Sequence, residues 1–367
     1  MATAKMAMAA VGGAKETAQT VEARAAIRSL HVIAGHPQGS LMIFARRESA
    51  SLRYAGIEVR QFFLQSRTSP TCLVREFLRI RREMQEFKPQ IVHAHYGTVT
   101  ALFCGLATMR PLVVTFRGSD LNPSPAIHRL RSLVGRFFSQ LAALRAAQII
   151  CVTEGLKDRL WWRRDRVTVM PGCIDLKLFC PQPRDEARTA LGLPAAGKIV
   201  LFNAGKAPRI KRLDLAEAAI EEAKKLGCQV KMMVLNGETD PDAVPLYLNA
   251  ADCLLITSDW EGSPYIVKEA LSCDLPIVSV DVGDVAERVA SVNPSRIVAR
   301  DARELGAAIV DVLSQGRRSN GHLVMQELSE ERVAERTRLI YERISGGRAA
   351  GSRESKQMVK SPEAERA

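Results

Sequence analysis

Short apolar runs recur along this chain, each followed by an amphipathic stretch, and that alternation restricts it to one class of fold. Residues 30–35, 57–64, 90–95, 111–116, 148–152 and 167–170 read as strands. Helical patterns over 41–52, 73–87, 98–109, 127–147 and 154–161 lie between them. Strands separated by helices pair in parallel, because a helical crossover returns the chain to the same end of the sheet. The segment 171–183 is rich in turn residues, and the pattern then restarts. Strands are expected at 198–203, 229–235, 253–257 and 275–280, with helices at 211–226 (ended by Gly227), up to about Ala251, 303–313 and 330–344. A chain of 367 residues is long enough for two cores. The reading is therefore α/β, two doubly wound Rossmann-like domains facing across a cleft. The expected layout is a disordered leader over 1–27, a first domain over 28–180, a second over 181–345, and a disordered tail over 346–367. Ligands bind where such sheets reverse their strand order.

Composition narrows the class further. Apolar residues make up 47% and charged residues 25%, as in ordinary globular chains. No apolar run approaches the roughly 20 residues that cross a bilayer. The leader has no continuous apolar segment of the kind that directs secretion. Eight cysteines are scattered without a C-x-x-C pair, which argues for a reducing, cytoplasmic setting and against a zinc site. The net charge of +12 is unevenly placed: residues 1–180 hold 26 of the 52 basic residues but only 12 of the 40 acidic ones. A basic first half calls for an anionic partner. Few aromatics and no recognition motif argue against nucleic acid. An anionic membrane surface fits better, and a merely solvated basic face remains the alternative. The helix expected at 127–147 combines arginines with Phe137 and Phe138, as interfacial helices do.

The densest local signal is Asp259-Trp260-Glu261-Gly262-Ser263-Pro264-Tyr265-Ile266-Val267-Lys268-Glu269. Ser263 reads as a helix N-cap and Pro264 as the first helical residue. Ile266, Val267, Ala270 and Leu271 then repeat at helical spacing. Glu261 falls in the loop and Glu269 about two turns into the helix. Between them stand the free N–H groups of a helix start, which favour anions. Acceptors and donors gathered at one point suit a sugar joined to a phosphate. A plain loop and amphipathic helix with two exposed glutamates is the other reading of the same residues.

Other stretches bear on that choice. Gly205, Lys206 and Lys211 occupy a loop after the first strand of the second half, where lysines act as point charges on phosphate oxygens. No glycine-rich dinucleotide fingerprint or P-loop occurs. Asp240-Pro241-Asp242 is read as a turn rather than a metal site. His93 and His95, two apart on one strand, share a face and are either both in the core or both in the crevice.

Around these residues the chain resembles the family-4 retaining glycosyltransferases of GT-B architecture, over about residues 28–345. Glu261 and Glu269 match that family's paired-glutamate motif. Gly205-Lys206 with Lys211 is similar to its phosphate clamp, with lysine in the place of arginine. Met170-Pro171-Gly172-Cys173-Ile174-Asp175 resembles its hinge. Gly39, in Gln38-Gly39-Ser40, stands where the family has a glycine loop reaching the donor phosphate. The resemblance implies that Glu269 binds the donor ribose. Glu261, with the backbone of Gly262 to Pro264 (Ser263 included), would hold the sugar, and Lys206 and Lys211 would neutralise the diphosphate without a metal. Where the family often has histidine after the fourth strand, this chain has Arg117, followed by Gly118-Ser119-Asp120. Arg117 is no general base, but it suits phosphate or carboxylate. Asp120 either positions the acceptor or caps the turn.

The resemblance implies sugar transfer, with retention, from a nucleotide sugar of UDP or GDP type to a glycan or lipid-linked acceptor in cell-surface polysaccharide or glycoconjugate synthesis. The expected place is the cytoplasm, at the membrane's cytoplasmic face. Two alternatives stay open: a nucleotide-sugar epimerase and a non-catalytic GT-B binding subunit.

Overall fold

The structure, a computed structural model, describes residues 26–39, 42–123 and 127–357, with side chains to residue 346. Residues 1–25 of the expected leader and 358–367 of the expected tail lie outside the described residues, as does Ser40. Six strands form the first sheet: β1 (Ile27–Ala34), β2 (Ile57–Leu64), β3 (Ile91–His95), β4 (Leu112–Phe116), β5 (Gln148–Cys151) and β6 (Val167–Val169). Five form the second: β7 (Lys198–Asn203), β8 (Val230–Leu235), β9 (Cys253–Ile256), β10 (Ile277–Val280) and β11 (Arg296–Val298). The orders are β2-β1-β3-β4-β5-β6 and β11-β10-β9-β7-β8, and adjacent strands pair in parallel. In each sheet the first strand sits between the second and third. The chain therefore reverses direction of travel there, which opens a crevice at the strands' carboxyl ends. The expected α/β architecture of two doubly wound sheets is what the chain forms.

Central strands are buried on both faces, which is why they read as unbroken apolar runs. β11 escaped the sequence reading because its three residues, half-buried at the sheet edge, carry too little pattern. The helix Pro70–Phe87 starts earlier than expected: the Ser69 hydroxyl accepts from the Cys72 amide at 3.4 Å, and Pro70 takes the first helical position. The single helix expected at 211–226 is two, Pro208–Lys211 and Leu213–Lys225, parted by Arg212 at φ 56°. The Arg212 guanidinium is pinned by Asp214 and Asp259, which holds the break. The helix expected at 154–161 is a single turn, Glu154–Lys157.

The last helix, Glu330–Gln357, runs past residue 346, where the tail was expected to begin. Gly346-Gly347 does not stop it, because the alanine and charged residues around the pair are good helix formers. It also returns to the first sheet. Val333, Ala334, Ile340 and Tyr341 pack with Ile27, Leu52, Ile91 and Val113 on the face opposite that sheet's main core. The last helix thus straps the second half to the first.

Candidate active site

The reversal point of the second sheet lies between β7 and β9. The loops leaving these strands are laced together. The Thr257 hydroxyl donates to the carbonyls of Lys211 (2.8 Å) and Arg212 (2.9 Å), and the Asp259 amide donates to Ile210 (2.9 Å). Arg300 clamps the carbonyls of Thr257 and Ser258 from below, at 2.6 and 2.7 Å. On this frame Glu261 accepts from Lys211 Nζ and, at 2.7 Å, from the Ser258 hydroxyl. Lys211 and Glu261 are therefore one unit. Gly205 opens the same loop, whereas Lys206 projects into solvent and forms no ion pair among the described residues.

The helix after this loop is Tyr265–Ser272, with Pro264 at its N-cap. This corrects the expectation that Ser263 caps it. The Ser263 hydroxyl instead donates to Asp284 Oδ2 at 2.8 Å, a charge-assisted bond stronger than a neutral cap. Every residue from Ile266 to Ser272 is buried: the apolar ones lie in the second core, Ser272 beneath His322, and Lys268 and Glu269 against the segment 172–175 that joins the halves. Glu269 is consequently not exposed. It is 7% accessible, and its carboxylate has no hydrogen-bond partner among the described residues. Burial pushes that carboxyl up to about 7, against the pull of Arg47 and Lys268. It borders a space of about 10 Å³, room for one water, shared with Phe44, Arg47, Asp175 and Tyr265.

From the first half, Arg117 enters at the end of β4. Its guanidinium donates to Glu48 Oε2 (3.1 Å), to the Tyr265 hydroxyl of the second half (3.3 Å), and to His95 Nδ1 (3.0 Å). Burial opposes its charge, but Glu48 and Tyr265 more than restore it, so its pKa is raised. Asp120 is fully buried, and its oxygens accept from the amides of Gly97, Arg117 and Gly118 at 2.8–3.1 Å. It is the cap of the Arg117 turn. Burial pushes its carboxyl up and those amides pull it down.

The two halves meet tightly here. Phe44 stacks on Tyr265 with centroids 3.6 Å apart, and Arg47 pairs with Asp242 at 2.6 Å. Asp242 lies in the expected turn, its amide donating to Asp240 Oδ1 at 3.0 Å. A Cβ on Gly262 would lie 2.7 Å from the Arg117 carbonyl, and one on Gly172 only 2.0 Å from the Tyr265 hydroxyl. Both positions need glycine for the loops to close. Lys268, buried beneath, bonds the Gly172 carbonyl at 3.3 Å and sits 3.8 Å from the Tyr265 ring. Burial pulls its ammonium down to about 8. Gly39 stays apart: its amide donates to His36 and its carbonyl accepts from Arg46, all around one turn after β1.

The structure thus puts Lys211, Glu261, Gly262 and Ser263 on adjoining loops, Gly262 against the Arg117 carbonyl, and Arg117 in contact with Tyr265 at the start of the helix that carries Glu269. It leaves Lys206 and Gly39 at the rim and Asp120 beneath. Sequence reasoning missed Glu48, Tyr265 and Lys268. Glu48 had a signal, since it falls three after Ala45 on the inward face of the helix Ile43–Ser51. A cavity of about 640 Å³ in the first half begins beside Arg117, at Tyr96 and Ser119, and extends to Arg67, Arg131 and Val134.

Residues 30–178 match the model of Glycosyltransferase Family 4, and residues 193–315 match that of Glycosyl transferases group 1. The chain belongs to the family-4 glycosyltransferases. A teichuronic acid biosynthesis glycosyltransferase of Bacillus subtilis (strain 168) is 26% identical over 248 residues, covering 62% of each chain. The family-4 chain thus spans about three fifths of that relative's length. An Escherichia coli UDP-Gal:alpha-D-GlcNAc-diphosphoundecaprenol alpha-1,3-galactosyltransferase is 24% identical over 269 residues, 63% of this chain and 69% of the relative. Among solved structures, Anabaena HepE in complex with UDP and glucose superposes with a TM-score of 0.65 at 17% identity, over 87% of this chain and 99% of the other. At that identity the likeness shows the GT-B fold.

Proposed function

We propose that this chain transfers a sugar, with retention of configuration, from a UDP- or GDP-sugar to a glycan or lipid-linked acceptor in the synthesis of a surface polysaccharide or glycoconjugate. The observation that carries the proposal is the Lys211–Glu261 unit on the loop that leads into the helix of the unpartnered Glu269, with Arg117 of the first half bonded to Tyr265 at that helix's start.

Each group has a chemical part. The Glu269 carboxylate has free lone pairs and suits two ribose hydroxyls. Lys211, joined by Lys206 from the rim, supplies positive charge for the diphosphate. Breaking the sugar–phosphate bond leaves extra negative charge on the nucleotide, and fixed cations with the amides after Ser263 stabilise it where it develops. No metal is needed for that step. Glu261 and the Gly262–Ser263 backbone then face the sugar, whose transition state carries oxocarbenium character. Arg117, bonded to Glu48, Tyr265 and His95, suits an anionic group on donor or acceptor. The 10 Å³ space at Glu269 admits no ribose, so the Phe44–Tyr265 stack must part before the donor enters. HepE with UDP and glucose, and the E. coli relative with its diphosphoundecaprenol-linked acceptor, support this choice of donor and acceptor.

The first-half cavity adjoins exposed Leu130 and Val134 on the basic helix Arg129–Arg145, which also exposes Leu133 and Phe137. No helix among the described residues is long and apolar enough to cross a membrane. A peripheral seat on the anionic cytoplasmic face, through that helix, is the placement we propose.

Thermal stabilisation by UDP, GDP, ADP and CMP compounds and their sugars, on wild type and Glu269→Ala, tests the donor. One nucleotide should raise the melting temperature of the wild type and not of the variant. No shift with any of them would favour a non-catalytic binding subunit. Product NMR of the anomeric proton then decides between retention and inversion, and transfer to any acceptor would exclude epimerisation as the only activity.

A further inference from the structure

Behind Arg117 lies a group of polar residues that the proposed chemistry does not use. His31 on β1 pairs in register with His93 on β3, and His95 follows two residues later. All three are buried to 1% or less, among apolar strands and under the last helix. Such a group is costly unless every nitrogen is paired, and here every one is.

The polarity of the whole set follows from one fact. A guanidinium donates and cannot accept. Arg117 Nη2 lies 3.0 Å from His95 Nδ1, so that nitrogen holds a lone pair. His95 therefore carries its proton on Nε2, which donates to His31 Nδ1 at 2.8 Å. His31 in turn carries its proton on Nε2, facing Ser29 Oγ at 3.0 Å and the Tyr341 hydroxyl at 3.3 Å. The Tyr341 hydroxyl then has one remaining acceptor, His93 Nδ1 at 2.7 Å. Reversing that bond would leave a buried phenol proton unpaired. His93 finally donates from Nε2 to Thr115 Oγ1 at 2.7 Å.

We propose that this one-way chain, from Tyr341 and His93 through His31 and His95, fixes the Arg117 guanidinium at the cleft, and that His95 is a positioning residue of the site. The proposal rests on reading the cleft as the place of transfer. Arg117 is then held on three sides: by Glu48 for charge, by Tyr265 across the halves, and by a neutral acceptor behind. A second carboxylate in place of His95 would compete for the guanidinium, whereas a neutral imidazole aims it and leaves its charge available. Burial pulls all three imidazoles below their ordinary range, which keeps them neutral beside the arginine. The last helix contributes its end of the chain through Tyr341, which gives that strap a role in the site. The rings of His93 and His95 stack at 22°, and no nitrogen is left unpaired. A shared metal would have to break these bonds, although ligand atoms of all three lie within 4.8 Å of one another.

Nitrogen-15 NMR of histidine-labelled full-length protein tests the chain directly, with only six histidines to assign. We expect His31, His93 and His95 to be neutral Nε2–H tautomers, unchanged from pH 5.5 to 8 and unmoved by zinc. An Nδ1–H signal at His95, titration of any of the three in that range, or stoichiometric zinc binding lost in His31→Asn would overturn it. Kinetics tests the positioning. His95→Asn keeps an acceptor near the place of Nδ1 and should retain most of the transfer rate. His95→Val should lower kcat about tenfold or more, with the thermal shift by nucleotide intact. Equal losses in both would reduce His95 to packing. If the wild type transfers no sugar from any donor, the proposed function fails while the tautomers still decide the chain.

Discussion

The two sheets share one topology but build their crevices differently. At the β7/β9 reversal the polar groups are charged, partly exposed and paired with each other, as in Lys211 with Glu261 and Arg212 with Asp214. At the corresponding place in the first sheet, the groups behind the crevice are neutral, fully buried imidazoles, and the charge they back, Arg117, is paired with Glu48. Charged and adaptable groups suit a diphosphate that arrives and leaves. A buried neutral network suits one side chain that must not move. The contrast assigns ligand charge to the second half and geometry to the first.

The largest expected effect comes from breaking the first half's Arg117–Glu48 pair. Arg117→Ala leaves Glu48, itself about 10% exposed, without its partner. Losing one member of a largely buried pair should cost about 3 kcal/mol of stability. Transfer should fall at least about 100-fold, while stabilisation by nucleotide persists. Steady-state kinetics beside a denaturation curve separates the two. Unchanged turnover would remove Arg117 from the site.

Next comes Glu269→Ala. Hydrogen bonds to a charged group contribute about 1.5–3 kcal/mol each. Losing two ribose bonds should weaken donor binding by about 100-fold or more in a calorimetric titration. The same carboxylate gives a pH signature. Its pKa is about 7 in the fold against 4.5 for the free group. Between these values the folded chain binds more protons than the unfolded one, so stability falls as pH rises through the window, by about 3 kcal/mol in all. Glu269→Gln should remove that slope. Lys268, lowered to about 8 from 10.5, acts only above this range. Identical pH profiles in the two proteins would show that Glu269 is solvated.

What was legible in the sequence follows the same contrast. The sheets were legible because parallel strands bury both faces and leave apolar runs, and the paired glutamates because they stand in one contiguous motif. The state of Glu269 was not. Periodicity gave its helix one inward face, but Lys268 and Glu269 on the other side are covered by the 172–175 segment and by Phe44 of the first half, which no local pattern records. For Arg117 the sequence showed the residue without its partners. Glu48, His95 and Tyr265 lie 69, 22 and 148 positions away: the first two meet it through the folding of the first half, and Tyr265 only through the closure of the two halves. Asp120 had two open roles, and its three backbone donors match the turn cap. Ser263 failed as an N-cap because Asp284, 21 residues on, is a better partner.

A smaller effect tests the charged half from within. Lys211 and Lys206 are both assigned to the diphosphate, but only Lys211 is restrained by a partner. Lys211→Met should weaken nucleotide binding about tenfold, the scale of one charge-assisted contact. Lys206→Met, at the exposed rim, should weaken it only about twofold, on the scale of an exposed ion pair. The smallest effect is the most discriminating. Glu261 and an incoming diphosphate compete for the same ammonium, so Glu261→Gln releases Lys211. Nucleoside diphosphate should then bind up to about threefold tighter, within the range of a partly exposed pair, even as transfer is lost. If Glu261→Gln weakens diphosphate binding instead, Lys211 is held by Glu261 in its working position rather than withheld from the ligand. The second half would then be as preorganised as the first, and the contrast between the two crevices would disappear.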